Sequence, residues 1–131
     1  MKQFLLFVWQ LPQNLLGLLV IFFTGASKSK DGDFWVTAKG CFGVSLGSFI
    51  IFGSFYDRRD IEERSIKHEQ GHQKQSLYLG WLYLFVVGVP SICRNLWDRI
   101  AHTNWSHWKS EQWYYNGFPE KQADKLGGVI R

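Results

Sequence analysis

Asp60 to Leu79 reads DIEERSIKHEQGHQKQSLYL, and the rest of the chain is best understood outward from it. Asp60 followed three residues later by Glu63 is a capping-box pattern that opens a helix. Ile61, Ser65, His68, His72, Ser76 and Leu79 then recur at helical spacing, which predicts a helix over 61–79 with this stripe facing inward. His68 and His72 are one turn apart and about 40° apart in projection, so both imidazoles can reach one cation. The pattern His68-Glu69-Gln70-Gly71-His72 is H-E-x-x-H, in which zinc sits about 2.0–2.1 Å from each histidine nitrogen. Glu69 falls between the histidines in angle and can meet a metal-bound water as general base without being a ligand. An ordinary helix with a solvated polar face is the competing reading, and the inward stripe argues against it.

Two histidines are not enough, because catalytic zinc usually takes three protein ligands and leaves one position for water. Downstream, Glu120 stands out within Glu120-Lys121-Gln122-Ala123-Asp124, an E-x-x-A-D string. Pro119 suits a first helical position and Gly127 a C-terminal cap, framing a two-turn helix with Glu120, Ala123 and Asp124 on one face. H-E-x-x-H followed by E-x-x-A-D resembles the gluzincin metallopeptidases, most closely the membrane proteases related to the heat-shock-type and prenyl-protein proteases. The resemblance implies that Glu120 is the third zinc ligand and that Asp124 orients a zinc-binding histidine through its second ring nitrogen. It also implies that Ala123 is small to let two helices approach around the metal. His102 and His107 remain alternatives for the third ligand, with no spacing rule behind them. A gluzincin usually also has a Tyr or His that donates to the oxyanion, for which Tyr114, Tyr115, His102 and His107 are all available. A looser likeness joins Gly88-Val89-Pro90-Ser91 and Ala123-Asp124-Lys125-Leu126-Gly127-Gly128-Val129 to short uncharacterised bacterial membrane proteins.

The composition bounds these expectations. At 131 residues there is room for one compact domain. The net charge of +4 is thinly spread: residues 24–76 hold eight Lys/Arg against seven Asp/Glu, and residues 94–131 six against four. That excludes the concentrated basic face a nucleic-acid partner needs. Aromatics make up 18%, and Trp97, Trp105, Trp108, Trp113, Tyr114 and Tyr115 crowd together as they do at a membrane interface, with an aromatic core as the alternative. Cys41 and Cys93 fit no metal or redox spacing, and their pairing is left open.

Phe4 to Phe23 is one apolar run, long enough to cross a bilayer as a helix, although Gln10, Pro12, Gln13 and Asn14 interrupt it. A membrane segment over 1–26 is therefore expected, as a kinked span or a membrane-lying hairpin; a cleaved signal peptide ending near Gly25, Ala26 and Ser27 is the competitor. Residues 24–33 read as a loop. Phe34 to Thr37 and Val44 to Phe52 read as a short antiparallel pair across Lys39 and Gly40. In the family this chain resembles, a strand in the position of Val44 to Phe52 receives substrate as an added strand.

A second apolar run, Leu77 to Cys93, cannot cross the bilayer without separating the histidines from Glu120. It is expected to be re-entrant or buried, with Gly88 and Pro90 marking a return. Lys28, Lys30, Lys39, Arg58 and Arg59 follow the first segment and favour a cytoplasmic catalytic part, which the bacterial likeness places at an inner membrane.

The expected architecture is thus α+β and mostly helical: an N-terminal membrane segment (1–26), then a minimal protease-like domain (27–131). That domain holds the β pair, the zinc helix, the apolar stretch at 77–93 and the short glutamate helix. The resemblance implies one Zn2+ per chain and hydrolysis of a peptide or membrane-protein substrate beside the lipid bilayer. A zinc-stabilised membrane interaction protein, in which the same ligands merely clamp two helices, is the alternative, and a metal-free membrane protein with a chance motif is a third reading. The number of subunits has no signature in the sequence.

Overall fold

Helix α3, Glu63–Leu79, is the element on which the others are assembled. The computed structural model describes residues 1–30, 32–40, 42–53 and 63–131. The expected cap at Asp60, the start of the stripe at Ile61, the cationic Arg58 and Arg59, and Cys41 lie outside the described residues. Within α3 the buried side chains are His68, Glu69, His72, Gln75 and Ser76, with Gly71 among them. A polar stripe faces inward here because the groups it meets are themselves polar.

The N-terminal run is not one straight helix. Helices α1 (Lys2–Trp9) and α2 (Leu11–Thr24) are bent by 87° at their junction. With rises of about 12 and 21 Å, neither matches an apolar layer of about 30 Å. No single helix among the described residues is long and apolar enough to cross a membrane, and this bent pair passes the test only when taken together. The interrupting polar residues explain the bend, since Gln13 and Asn14 are 0% exposed. The Gln13 amide donates to Ser76 Oγ and to the Gly80 carbonyl, both at 2.9 Å, and Ser76 Oγ donates to Gln10 Oε1 at 2.7 Å. Asn14 Oδ1 accepts from the Ser48 N–H at 2.8 Å. Each of these amides thus has a partner, although Gln13 Oε1 has none among the described residues. Pro12 stands in the first turn of α2, where its missing N–H costs nothing.

The expected antiparallel pair is instead a four-stranded mixed sheet in the order β1-β2-β4-β3: β1 Ser27–Lys28, β2 Trp35–Val36, β3 Gly43–Leu46 and β4 Phe49–Phe52. Residues 44–52 are not one strand. Gly47, at φ 63°, turns the chain, and β3 and β4 form a hairpin in register Val44↔Ile51 and Leu46↔Phe49. A side chain at this position is excluded twice over, because a Cβ would also lie 2.2 Å from Asn14 Oδ1. β2 pairs with β4 in parallel, not antiparallel, and the stretch read as loop contributes β1. Ile50, Ile51 and Phe52 form the apolar centre of the sheet.

After α3 the chain breaks at Gly80, at φ 53°, and continues through a 3₁₀ turn (Gly80–Leu82), a π-helical segment (Leu84–Gly88) and α4 (Val89–Ala101). The return expected at Gly88 and Pro90 does not occur. Gly88 keeps helical torsions and Pro90 occupies the first turn of α4, where proline is tolerated. The chain reverses after Ala101, where Asp98 accepts from His102 and from Ser110. Ser106 then caps α5, His107–Tyr115. Of the 77–93 stretch, Tyr83 and Val87 are buried, whereas Trp81, Leu82, Phe85 and Ile92 are exposed. Cys93 is exposed as well.

The last helix, α6 (Glu120–Gly127), crosses α3 at contact distance between backbones and buries Glu120, Ala123 and Asp124. The expected cap at Gly127 falls one residue later: Gly128, at φ 76°, ends the helix, while Gly127 lies against the Lys67 carbonyl.

Candidate metal centre

The crossing of α3 and α6 brings His68, His72 and Glu120 together as a buried group able to hold a metal ion. Glu120 Oε2 lies 3.1 Å from His68 Nε2 and 3.1 Å from His72 Nε2. The outer ring nitrogens are both committed: His68 Nδ1 to Asp124 Oδ1 at 2.7 Å, and His72 Nδ1 to Gln75 Oε1 at 2.7 Å. A neutral imidazole with its proton on Nδ1 offers a lone pair at Nε2. Both Nε2 atoms and a carboxylate oxygen therefore converge, and what holds them together is a cation between them, a proton in the metal-free protein or a metal ion in its place. A single proton can bridge only one of the two contacts. Two ligands about 2.0–2.1 Å from one tetrahedral metal ion stand about 3.3 Å apart, close to the two carboxylate–imidazole spacings, and all three donor atoms lie within 4.8 Å of one another.

Burial opposes a charged His68, but its hydrogen bonds to Asp124 and Glu120 outweigh that and raise its pKa to about 9. Glu120 is 1% exposed. Desolvation pushes its pKa up, yet the bonds from His68 and His72 and the one from Ser91 hold it far below the usual carboxylate range. The Ser91 hydroxyl donates to Glu120 Oε1 at 2.5 Å and lies 3.2 Å from the Tyr114 hydroxyl. Asp124 is also held below its ordinary value: burial raises it, and His68 and Arg131 more than reverse the effect. Arg131 donates to Asp124 Oδ2 at 2.6 Å and stacks over Tyr115, whose ring meets His68 edge-on at 5.1 Å.

Glu69 is buried, and its Oε2 has no hydrogen-bond partner among the described residues. Desolvation raises its pKa above the ordinary glutamate value, against the pull of His72 and His68. β3 passes beside it, with Gly43 so close that a Cβ there would lie 3.1 Å from Glu69 Oε1. Glu69, the two histidines and Glu120 line one open cavity of about 1190 Å³. Its other walls are largely apolar, with Leu16, Leu19 and Val20 from α2, Val44 and Leu46 from β3, and Val87, Ile92 and Leu96 from the helical stretch opposite, interrupted by Asn95 and Arg99.

The remaining sequence candidates separate cleanly. His102 is away from the group, stacked on Trp105 at 3.6 Å with its Nδ1 on Asp98. His107 lines the cavity, but its side chain is 94% exposed and stands 3.9 Å from Glu111. Tyr114 and Tyr115 both line the cavity. The aromatic crowd is divided: Trp105 and Trp113 pack on His102, with Arg94 over Trp113, whereas Trp97 and Trp108 are exposed. Sequence reasoning missed Gln75 and Arg131, and it met Ser91 only inside a resemblance. Gln75 had a usable signal, because it lies three residues after His72 on the same face of a helix. Arg131 had none.

No protein-family model, no curated protein and no solved structure matches this chain.

Proposed function

We propose that the protein is a membrane-associated zinc metallopeptidase of the gluzincin type, with His68, His72 and Glu120 holding one zinc ion and Glu69 acting as general base. One observation carries this reading: the Nε2 atoms of two histidines each lie 3.1 Å from one Glu120 carboxylate oxygen, beside a buried Glu69 carboxylate oxygen with no partner among the described residues. A purely structural clamp has no need of Glu69 and would close every position on the metal.

A bound zinc supplies a Lewis acid that polarises a scissile carbonyl and acidifies water. Glu69 takes the proton from the attacking water, a task suited to a carboxylate whose pKa burial has raised, and returns it to the leaving amine. Asp124 and Gln75 orient the two imidazoles, and Ser91 holds the far oxygen of Glu120. Tyr114, beside Ser91 on the cavity wall, is the favoured donor to the oxyanion. The substrate main chain lies along β3, the outer strand of the sheet nearest Glu69.

Membrane association rests on residues 3–27 and 75–93, which carry no charged side chain. These stretches expose Phe4, Leu5, Phe22, Phe23, Trp81, Leu82 and Phe85. A bent α1–α2 pair fits a segment lying in the interface better than one crossing it.

The test is metal content by mass spectrometry with hydrolysis of a quenched fluorescent peptide library, for wild type and Glu69→Gln. The expected result is one zinc per chain in both and cleavage only by wild type. Cleavage retained by Glu69→Gln overturns the mechanism, and zinc without cleavage in wild type leaves the clamp.

A further inference from the structure

We propose that Gln75 is a positioning residue that sets the tautomer of His72, and that Gln122 and the Pro119 carbonyl hold the Gln75 amide the right way round. The proposal deepens the metal-site reading and rests on it for its role, though not for its geometry.

A neutral imidazole carries one proton, and the partner of one ring nitrogen decides what the other presents. An amide can offer either end to a histidine, so its orientation has to be decided elsewhere. Here Gln75 Nε2 faces the Pro119 carbonyl at 3.1 Å and Gln122 Oε1 at 2.8 Å. A proline carbonyl can only accept, so the NH2 end belongs there. Gln75 Oε1 is then left toward His72 Nδ1 at 2.7 Å. The one hydrogen available to that contact is on the ring. His72 therefore carries a proton on Nδ1, and in the neutral ring Nε2, 3.1 Å from Glu120 Oε2, is the nitrogen left to bind a metal.

The same amide ties together two candidate ligands from distant parts of the chain. Gln75 is one helical turn after His72, and Pro119, whose carbonyl it binds, immediately precedes Glu120. A shift of α6 relative to α3 would disturb the Glu120 carboxylate and the His72 tautomer together. His68 receives the equivalent service from a carboxylate, Asp124, whereas His72 receives it from a neutral dipole. Both Gln75 and Gln122 occupy positions about which H-E-x-x-H and E-x-x-A-D are silent.

The experiment uses the full chain. Long-range ¹H–¹⁵N correlation spectra of the metal-free protein, at a pH where His72 is neutral, read its tautomer, and zinc titration against a chromophoric chelator reads affinity. Wild type is expected to show the Nδ1–H form. Gln75→Met is expected to lose that preference and to bind zinc about 10–100-fold more weakly. Gln122→Glu, at an exposed position, keeps an acceptor for the Gln75 amide and is expected to preserve both properties. An Nε2–H tautomer in wild type overturns the proposal whether or not Gln75→Met folds. So does a folded Gln75→Met that binds zinc as tightly as wild type. Failure of wild type to bind zinc sinks the metallopeptidase reading instead, while the spectra still decide the tautomer.

Discussion

Gly71 of α3 and Ala123 of α6 meet backbone to backbone, so closely that a Cβ on Gly71 would lie 1.9 Å from the Ala123 carbonyl oxygen. Gly127 repeats the contact one turn away, where a Cβ would lie 2.0 Å from the Lys67 carbonyl oxygen. Glu120 reaches both histidines only because the helices cross at this distance. Gly71→Ala is expected to cost about 3 kcal/mol or more, since backbone, unlike a side chain, cannot rotate away from an added methyl. Urea unfolding reads the stability and metal content reads the site. A variant with wild-type values of both would refute the close crossing.

The third ligand can be tested by comparison. Glu120→Ala is expected to lose bound metal, whereas His102→Ala and His107→Ala, remote from the group or solvent-exposed, should retain it. Equilibrium dialysis with zinc distinguishes them. Metal lost with His107→Ala and kept with Glu120→Ala would reassign the ligand.

Gln13→Leu should separate a docked, bent N-terminal pair from a straight membrane span. In a span the change removes a polar group from lipid and is neutral or stabilising. In the observed packing it strips the Gly80 carbonyl and Ser76 of their donor in a buried place, and a loss of about 1–3 kcal/mol is expected. Thermal unfolding in mild detergent measures the difference.

His68 sets a pH dependence for the metal-free protein. Its folded pKa, about 9, lies above the ordinary value of 6.5 because the Asp124 and Glu120 bonds outweigh burial. The charged ring therefore contributes stability fully below about pH 6.5, and that contribution is lost as pH rises through about 9. Zinc must displace the same proton, so its affinity should climb with pH across this window. Denaturation curves from pH 6 to 10 of metal-free wild type and His68→Gln check the first effect, because the variant lacks the titrating ring. A stability of wild type that rises through about pH 9 would contradict the sign.

Much of the candidate site could be read in advance because it is built from two short helical strings. Residues i and i+4 share a helix face wherever the helix lies, so His68 and His72 are neighbours by local geometry alone. The same rule puts Glu120, Ala123 and Asp124 on one side of α6. The strands were harder to read. A hairpin of two four-residue strands around Gly47 looks like one continuous β-rich run in sequence, and a parallel partner such as β2 for β4 leaves no local trace. The polar breaks in the N-terminal run were opaque for another reason. Gln10, Gln13 and Asn14 look like flaws in a membrane helix, and they prove to be its attachment to α3 and the β3–β4 turn.

What the chain settled locally is the pair of imidazoles on one helix turn, the carboxylate between them and the helix that carries Glu120. Periodicity and capping act over a few residues, and those residues are contiguous. Tertiary structure decided that Glu120 meets both rings, that Gln75, Ser91 and Arg131 brace the ligands or their partners, and that Glu69 is buried with an oxygen that has no partner among the described residues. Each of these, the His72–Gln75 and Asp124–Arg131 contacts apart, depends on the α3–α6 crossing or on packing between residues far apart in sequence. Such distances follow from the shapes of two packed surfaces, which no single segment encodes.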